Sequence, residues 1–314
     1  MSLRSEQRGV WLAVGSALCF SAKAIFVKLA YPFGVSPLTL LTLRVGFSLP
    51  VFALVALRTR QPLARRDWIA LMLLGLVGAY AASLLDFIGL LYITAGLERL
   101  LLFTYPTLTL LIGLFAFQRP FTKRDIAALA LTWAGIALAF AHDLALAVDA
   151  PLVWLGAGYV LASAVCYALY LVGAGELVQR LGSLRVSAIS FSFSALALFV
   201  QFACTRPFSD LAQPSEVLWL AAVMALFSTV LAVFMQMASI KRLGAARSAM
   251  IGTLGPVATI ALGAIVLGEP ISARQVLGTL LVLAGVRLAG SARPVTQPTQ
   301  ALRTWSEPPP AAEP

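Results

Sequence analysis

Five charged side chains interrupt or border long apolar runs in this sequence. Lys23 and Arg44 lie within such runs, and Asp86, Glu98 and Arg99 lie near the ends of two others. A charge inside a membrane costs roughly a few kcal/mol or more, so it usually faces a partner or a cavity. We predict that Lys23 and Arg44 bind an anionic group such as a carboxylate. Asp86, Glu98 and Arg99 are predicted to form ion pairs at a gate or to serve in coupling.

Depth estimates set the two predicted binding cations apart from the other charges. At about 1.5 Å per helical residue, Lys23 lies about 18 Å beyond Trp11, and Arg44 reaches a similar level from the opposite face. Asp86 lies about 27 Å beyond Trp68 by the same rule, near the outer end. Two alternatives stay open: Lys23 could extend its ammonium toward the membrane surface, and Arg44 could form a structural ion pair with Asp86.

Polar residues at helical spacing extend the predicted site. Ser16, Cys19 and Lys23 share one helical face, and so do Tyr105 and Thr109. We predict that Ser16, Cys19, Tyr105 and Thr109 line the substrate site together with Thr259. For the Ser and Thr members, the commoner role in membrane helices is to hold neighbouring helices together.

The composition excludes several other kinds of site. The three cysteines have no paired spacing and the only histidine, His142, is predicted to lie in a short loop, so neither a metal site nor a cofactor is expected. An ATP-driven pump would need a Gly-Lys-Ser/Thr phosphate loop, which this sequence lacks. An intramembrane enzyme, the alternative from another class, would need a nucleophile and a base at depth, whereas the only histidine is predicted to lie in a loop. The net charge of +10 comes from basic residues at helix ends, which argues against a nucleic-acid partner.

The elements that must position these residues are membrane helices. The chain is 60% hydrophobic and 11% charged, whereas a soluble domain averages about 25% charged residues. Apolar runs of about 20 residues suffice to cross a bilayer. They predict ten spans, at roughly 9–30, 36–57, 68–91, 96–117, 124–141, 151–173, 185–204, 216–239, 244–267 and 273–290.

Basic residues predict the orientation of these spans. Most of the 23 Lys and Arg residues fall in segments that share one side of the membrane when the N-terminus is cytoplasmic. Because cytoplasmic loops carry the excess of basic residues, both termini are predicted to be cytoplasmic. A bacterial inner membrane is the expected location.

An internal duplication organises the chain. Residues 106–139 align with 256–289 at a constant offset of 150 residues. Ten spans in two halves leave five in each, an odd number, so the second copy must cross the membrane in the opposite direction. The prediction is therefore an all-α integral membrane protein of two inverted five-helix repeats. Pro106, Gly255 and Pro256 should kink their helices and act as hinges.

The duplication also divides the chain. We predict a cytoplasmic N-terminal segment at 1–8, a first repeat at 9–141, an external loop at 142–150 and a second repeat at 151–290. The remaining segment, 291–314, is polar and Pro-rich and is predicted to be a disordered cytoplasmic tail.

Specific motifs resemble the drug/metabolite transporter superfamily, in particular its ten-helix EamA-type permeases. The second half carries Gly255-Pro256, Gly268-Glu269-Pro270 and Ala284-Gly285, and the first half carries the matching Tyr105-Pro106 and Ala134-Gly135. Two departures are Gln118-Arg119 in place of the Gly-Glu expected before Pro120, and Glu98-Arg99 where small apolar residues are commoner. The similarity covers about residues 9–290.

The resemblance implies solute transport without ATP, with substrates that range widely across the family. Combined with the predicted cationic site, it favours an exporter of an amino acid or another carboxylate-bearing solute. A proton-coupled drug efflux permease is the alternative. The expected partners are a small-molecule substrate and the lipid bilayer, and a homodimer stays open.

Overall fold

The computed structural model describes residues 3–58, 63–117, 122–243, 248 and 251–290. Helices joined by short turns make up nearly all of this described part. They are α1 (Leu3–Ala30), α2 (Pro37–Arg58), α3 (Arg65–Gly89), α4 (Ala95–Leu102), α5 (Tyr105–Phe117), α6 (Lys123–Leu146), α7 (Ala150–Leu181), α8 (Ser183–Thr205), α9 (215–243), α10 (Leu254–Leu267) and α11 (Ala273–Gly290). The motif at 118–120 and the predicted tail at 291–314 lie outside the described residues.

Eight helices of this described part are long and apolar enough to cross a membrane. They correspond to the first eight predicted spans, and α4 and α5 together supply the fourth, Ala95–Ile112. The ninth and tenth predicted spans correspond to α10, a shorter apolar helix, and to α11, of 18 residues. The prediction of an all-helical membrane protein is thus confirmed.

Side-chain caps explain where several helices begin. The Ser36 hydroxyl accepts a hydrogen bond from the backbone N–H of Thr39 at 3.2 Å at the start of α2. Thr94 caps α4 through the N–H of Leu97 at 3.1 Å. Thr122 and Asp125 form a reciprocal capping box at the start of α6. Each cap satisfies backbone donors that the first turn of a helix leaves without partners.

The predicted loop at 142–150 is wrong in its extent. Helix α6 continues to Leu146 and α7 begins at Ala150, so His142 lies on a helix and is buried. The residues after Asp143 are alternating Leu and Ala, which are strong helix formers. The helix therefore extends beyond the end of the most apolar stretch.

Helices α3 and α9 each contain a π-helical segment near the middle, at Gly75–Ala81 and Leu226–Leu231. In α3 this segment packs closely on two other helices. A side chain at Gly75 would collide with the carbonyl oxygen of Ser190, and one at Gly78 with the ring of Tyr170. Glycine thus permits the close packing of α3 against α7 and α8.

Helices α6 and α11 cross with their backbones in contact. A side chain at Gly135 would meet the carbonyl oxygen of Gly278, and one at Gly278 would meet that of Gly135. A side chain at Gly285 would meet Ala128 and Thr132 in the same way. Small residues at a crossing let helices approach closely, which is the usual source of helix association in a membrane.

The buried apolar side chains form two main clusters. One joins α1, α2, α3, α8 and α9, and the other joins α4, α6, α7, α10 and α11. Phe87 belongs to the first cluster and Leu97 to the second. Their chain neighbours Asp86 and Glu98 are therefore positioned where the two clusters meet.

Candidate functional site

Three charged side chains from three helices meet at the boundary between the two apolar clusters. The ammonium of Lys23 on α1 forms ion pairs with Asp86 of α3 and with Glu98 of α4, the latter at 3.1 Å from Nζ to Oε1. Their side-chain exposures are 14% for Lys23, 4% for Asp86 and 0% for Glu98. The sequence separations are 63 and 75 residues. Two of the three residues predicted for a gate or for coupling, Asp86 and Glu98, are thus paired with Lys23 in the structure, and their role stays a prediction.

The local sequence explains how the two carboxylates reach this point. Glu98 lies in the first turn of α4, where the helix dipole favours a negative charge. Asp86 lies in the regular α-helical part of α3 that follows the π-helical segment. Asp86 Oδ1 and Glu98 Oε2 are both buried without a hydrogen-bond partner. Two carboxylates thus share one ammonium, and each keeps one unused acceptor.

Arg99, the next residue after Glu98, contacts a different helix. A side chain at Gly255 of α10 would lie 2.9 Å from Arg99 Nη2, so the guanidinium lies against the backbone of α10 at this glycine. The guanidinium carbon also lies 5.4 Å from the centre of the Phe103 ring. Arg99 Nε is buried without a hydrogen-bond partner. Among the described residues, no carboxylate is ion-paired with Arg99.

Aromatic rings continue from Arg99 toward α7. The ring centroids of Phe103 and Tyr105 are 6.0 Å apart, and those of Tyr105 and Tyr167 are 5.0 Å apart, both in edge-to-face geometry. Tyr167 stacks on Tyr170 at 6.0 Å. Arg99 is close enough to Tyr105 and Tyr167 to interact with them electrostatically. We name Arg99, Phe103, Tyr105, Tyr167 and Tyr170 the Arg99 aromatic cluster.

Thr109, which was also predicted for the site, lies one turn beyond Tyr105 on α5. Its hydroxyl is buried without a hydrogen-bond partner. Two residues of the predicted set therefore lie on α5: Tyr105 is a member of the Arg99 aromatic cluster, and Thr109 follows it by one helical turn.

The guanidinium of Arg44 contacts neutral side chains. Its Nε donates a hydrogen bond to the Thr229 hydroxyl of α9 at 2.9 Å, and its guanidinium lies 5.5 Å from the centre of the Phe87 ring. The alternative of an Arg44–Asp86 ion pair is wrong, because Asp86 pairs with Lys23 instead. The structure does not bring Lys23 and Arg44 to a shared partner.

The hydroxyl groups of Ser16 and Thr259 bond to neighbouring helices, which is the commoner role of Ser and Thr in membrane helices. The Ser16 hydroxyl is fully buried and donates to the carbonyl of Ala232 at 2.9 Å. Thr259 donates to the carbonyl of Ser21 at 3.4 Å. Cys19, the remaining member of this predicted set, is a half-buried free thiol.

The contact of Ser16 has a counterpart in the other half of the chain. Ser163 donates to the carbonyl of Ala82 at 2.7 Å. Ala82 and Ala232 each follow a π-helical segment, and they are 150 residues apart. The two serines occupy matching Ser-Ala-x-Cys motifs.

The predicted hinge residues lie at helix starts. Helix α4 ends at Leu102, and α5 begins at Tyr105 with Pro106 in its first turn. Gly255 and Pro256 lie in the first turn of α10, directly after a turn at Thr253. Proline lacks the backbone donor that a helix interior requires, so the chain breaks just before it.

A second charged group, which the sequence analysis missed, holds the start of α4. Glu269 Oε1 accepts a hydrogen bond from the backbone N–H of Ala95 at 2.9 Å. The Asp143 carboxylate accepts from both the N–H and the hydroxyl of Thr94, each at 2.9 Å. His142 Nε2 lies 3.0 Å from the carbonyl of Pro270 and donates to it. The Gly268-Glu269-Pro270 motif was visible in the sequence, but not its contact 174 residues away.

Comparison with known proteins gives consistent matches over most of the chain. The family model described as "EamA-like transporter family" matches twice, over residues 7–141 and 154–291. "Uncharacterized transporter YcbK" of Bacillus subtilis (strain 168) is 31% identical over 277 residues, which cover 86% of this chain and 88% of that protein. "Uncharacterized transporter YyaM" of the same strain is 26% identical over 258 residues, covering 81% and 84%.

A solved crystal structure is similar in fold. It matches with a TM-score of 0.63 and 18% sequence identity, and the match covers 95% of this chain and 99% of the other. At this level of identity the likeness extends to the fold alone.

Proposed function

Because the chain belongs to the EamA-like transporter family and is a membrane transporter rather than an enzyme, we propose that it exports a small carboxylate-bearing solute. The observation that carries this proposal is the guanidinium of Arg99, which has a buried Nε without a partner beside a row of aromatic rings. A planar guanidinium matches the geometry of a carboxylate. Transport would use solute and ion gradients and not ATP.

We propose that the ten predicted spans form two inverted five-helix repeats. Several paired features support this at an offset close to 150 residues. Two of the three π-helical segments in the described residues lie at 75–81 and 226–231, and the helix breaks lie at 103–104 and 253. The serine-to-carbonyl contacts of Ser16 and Ser163 also correspond. An odd number of spans in each repeat reverses the second copy, which would leave both termini in the cytoplasm of a bacterial inner membrane.

Alternating access is the mechanism that such a duplication supports. Each half would contribute one broken helix, namely α4–α5 in the first and the helix around Thr253 in the second. Arg99 of one broken helix contacts Gly255 of the other. A substrate bound at Arg99 would therefore touch both elements that we propose to move. Pro106, Gly255 and Pro256 would act as hinges.

We propose different roles for the predicted site residues, and their polar partners support this division. Lys23 pairs with Asp86 and Glu98, so we assign this group to coupling. Arg44 is held by Thr229 and the Phe87 ring, so we assign it to helix packing. The substrate carboxylate would then lie at Arg99, where the rings of the Arg99 aromatic cluster suit an amphipathic solute.

Solute counterflow in proteoliposomes tests this proposal. Phenylpyruvate and pyruvate serve as radiolabelled probes, one with an aromatic ring and one without, and phenylpyruvate methyl ester serves as the uncharged competitor. Arg99→Gln should reduce carboxylate counterflow about tenfold or more, since a hydrogen bond to a charged group contributes about 1.5–3 kcal/mol. Arg206→Gln, on an exposed side chain, should leave it unchanged.

Competition separates a charge effect from general binding. The free acid should compete with labelled phenylpyruvate, and the methyl ester should compete poorly. Equal competition by acid and ester, or unchanged counterflow in Arg99→Gln, would contradict carboxylate recognition at Arg99.

Proton-coupled drug efflux is the second candidate. The observation that favours it is the excess carboxylate among Lys23, Asp86 and Glu98, since buried acids can bind lipophilic cations. This candidate predicts that proteoliposomes with an acidic interior take up tetraphenylphosphonium in exchange for protons. Loss of this uptake in Glu98→Gln would support this candidate over the first.

A further inference from the structure

We propose that Asp86 and Glu98 share one proton, which binds together with the substrate carboxylate at Arg99 and crosses the membrane with it. This inference rests on the proposed function and goes beyond it, because it identifies the coupling ion, its binding site and the sign of the coupling. Transport would then be symport of one proton with each carboxylate, and export would be driven by the outward gradient of the carboxylate, which carries the proton out with it.

The charges and hydrogen bonds of the carboxylate pair show the need for a proton. Asp86 and Glu98 bring two negative charges to the single ammonium of Lys23, at 4% and 0% side-chain exposure. Burying a charge without full compensation is costly. One proton would leave the three side chains neutral as a group.

The shared ammonium of Lys23 brings the two carboxyl groups together and gives the proton a place. Both pair with this one Nζ, yet Asp86 Oδ1 and Glu98 Oε2 have no hydrogen-bond partner. Ionised carboxylates are acceptors only, and a hydrogen bond between two of them requires a proton. A proton taken from water would form one O–H bond on either carboxyl and donate to the other.

Other charged groups surround the pair, and most have partners of their own. The charged and titratable groups that face Asp86 or Glu98 from neighbouring elements are Lys23, Lys28, Tyr31, Arg44 and Arg99, with Asp143 and Glu269 beyond Lys28. The Tyr31 hydroxyl donates to the carbonyl of Phe87, and Arg44 donates to Thr229. Arg99 differs because it both adjoins Glu98 in the chain and contacts the other broken helix.

This position of Arg99 determines the sign of the coupling. While its guanidinium has no anion, its positive charge, one residue from Glu98, favours a negative charge at that carboxyl group. A substrate carboxylate bound to Arg99 cancels that charge, so the pair of acids then binds a proton more readily. Linkage makes the effect reciprocal: a proton on the pair strengthens binding of the anion. The two ligands therefore bind and leave together.

The charge balance of one cycle follows from this. One proton and one monocarboxylate enter the site from the same side, and both leave on the other side. The O–H bond breaks on release and the proton returns to water. No net charge moves, so the membrane potential should not drive the transport of a monocarboxylate.

Proteoliposomes with a trapped pH dye test the inference. Phenylpyruvate is added outside at equal pH on both sides, with potassium and valinomycin holding the potential at zero, and protein-free liposomes correct for passive permeation. We expect the interior to acidify as labelled phenylpyruvate enters, at about one proton per carboxylate. Phenylpyruvate entry without a pH change, or with alkalinisation, would overturn the inference and leave the proposed carboxylate transport standing.

Variants locate the proton. In Glu98→Gln, the proton-to-carboxylate ratio should fall toward zero while counterflow persists, and Asp86→Asn should act in the same way if Glu98→Gln does not fold. Asp210→Asn, a matched substitution at a half-buried carboxylate that pairs with Arg206, should keep the wild-type ratio. A wild-type ratio in both folded site variants would place the proton elsewhere. Absence of uptake of either carboxylate by wild type would count against the proposed function itself.

Discussion

At the scale of single residues, the partners of a buried charge decide what its removal does. Lys23 neutralises part of the charge of two carboxylates that have 4% and 0% side-chain exposure. Removing the ammonium leaves both acids buried without a counter-ion. We therefore expect Lys23 to contribute to stability as well as to any role in transport, and a loss of activity in its variants needs a stability measurement beside it.

We predict that Lys23→Met lowers the free energy of unfolding by about 3–5 kcal/mol, the usual cost of breaking a buried ion pair from one side. The triple variant Lys23→Met/Asp86→Asn/Glu98→Gln should recover most of this loss, because it leaves no unpaired charge. Chemical unfolding in detergent micelles measures both values. The deficit of the single variant should shrink as the pH is lowered, since protonation then neutralises the acids.

Lys123→Met is the matched control, because Lys123 is exposed at the start of α6. It should leave the free energy of unfolding nearly unchanged. A triple variant as unstable as Lys23→Met alone would show that packing, and not charge, accounts for the loss.

At the scale of elements, close helix crossings and helix breaks account for the arrangement of the site. The α6–α11 crossing relies on glycine where backbones touch. The start of α4 is held by Glu269 from the turn after α10 and by Asp143 from α6. Helix α4 in turn carries both Glu98 and Arg99. Movement of this short helix would therefore shift Glu98 and the guanidinium together, relative to Asp86 on α3.

Alanine at two glycines tests the α6–α11 crossing. In Gly135→Ala the new methyl group would collide with the backbone of Gly278 and Val282, which has no room to move. We expect a loss of about 1–3 kcal/mol in the free energy of unfolding, typical of overpacking. In Gly158→Ala nothing lies within 4 Å of the new methyl group. That variant should be neutral or up to about 1 kcal/mol more stable, because alanine favours helix.

Both variants are compared by chemical unfolding and by size-exclusion profile in the same detergent. Equal stability of the two would mean that the α6–α11 contact is not as close as described.

At the scale of the whole molecule, the two halves match the same family model and differ in their charged residues. The family model matches each half separately. The first half supplies Lys23, Asp86, Glu98 and Arg99, whereas Ser248 occupies the position in the second half that is equivalent to Glu98. The two halves thus share family motifs but carry different polar side chains, and the proposed coupling lies in the first half.

Thiol labelling tests the proposed orientation. After Cys19, Cys166 and Cys204 are replaced by Ser, single cysteines are placed at Val148 and at Ala64, both exposed. A membrane-impermeant maleimide should label Val148→Cys in intact cells and Ala64→Cys only after permeabilisation, if both termini are cytoplasmic. The reverse pattern would invert the topology, and labelling of both in intact cells would contradict the predicted spans.

The sequence by itself determined the membrane class, the positions of the first eight spans and the family. These depend on local properties, since an apolar run of sufficient length must lie in the bilayer as a helix wherever it packs. The family motifs are likewise short and local. The identity of the residues that carry charge into the membrane was also visible in the sequence.

Only the tertiary structure decided which of those charges meet. Lys23 pairs with Asp86 and Glu98, Arg44 bonds to Thr229 185 residues away, and Arg99 keeps a free Nε against α10. The direction of a side chain depends on the rotation of its helix and on which helix lies beside it. Those quantities are set by contacts between distant segments, such as the glycines of α6 and α11. The sequence showed which residues could bind an anion, and helix packing left Arg99 with a buried Nε that has no hydrogen-bond partner.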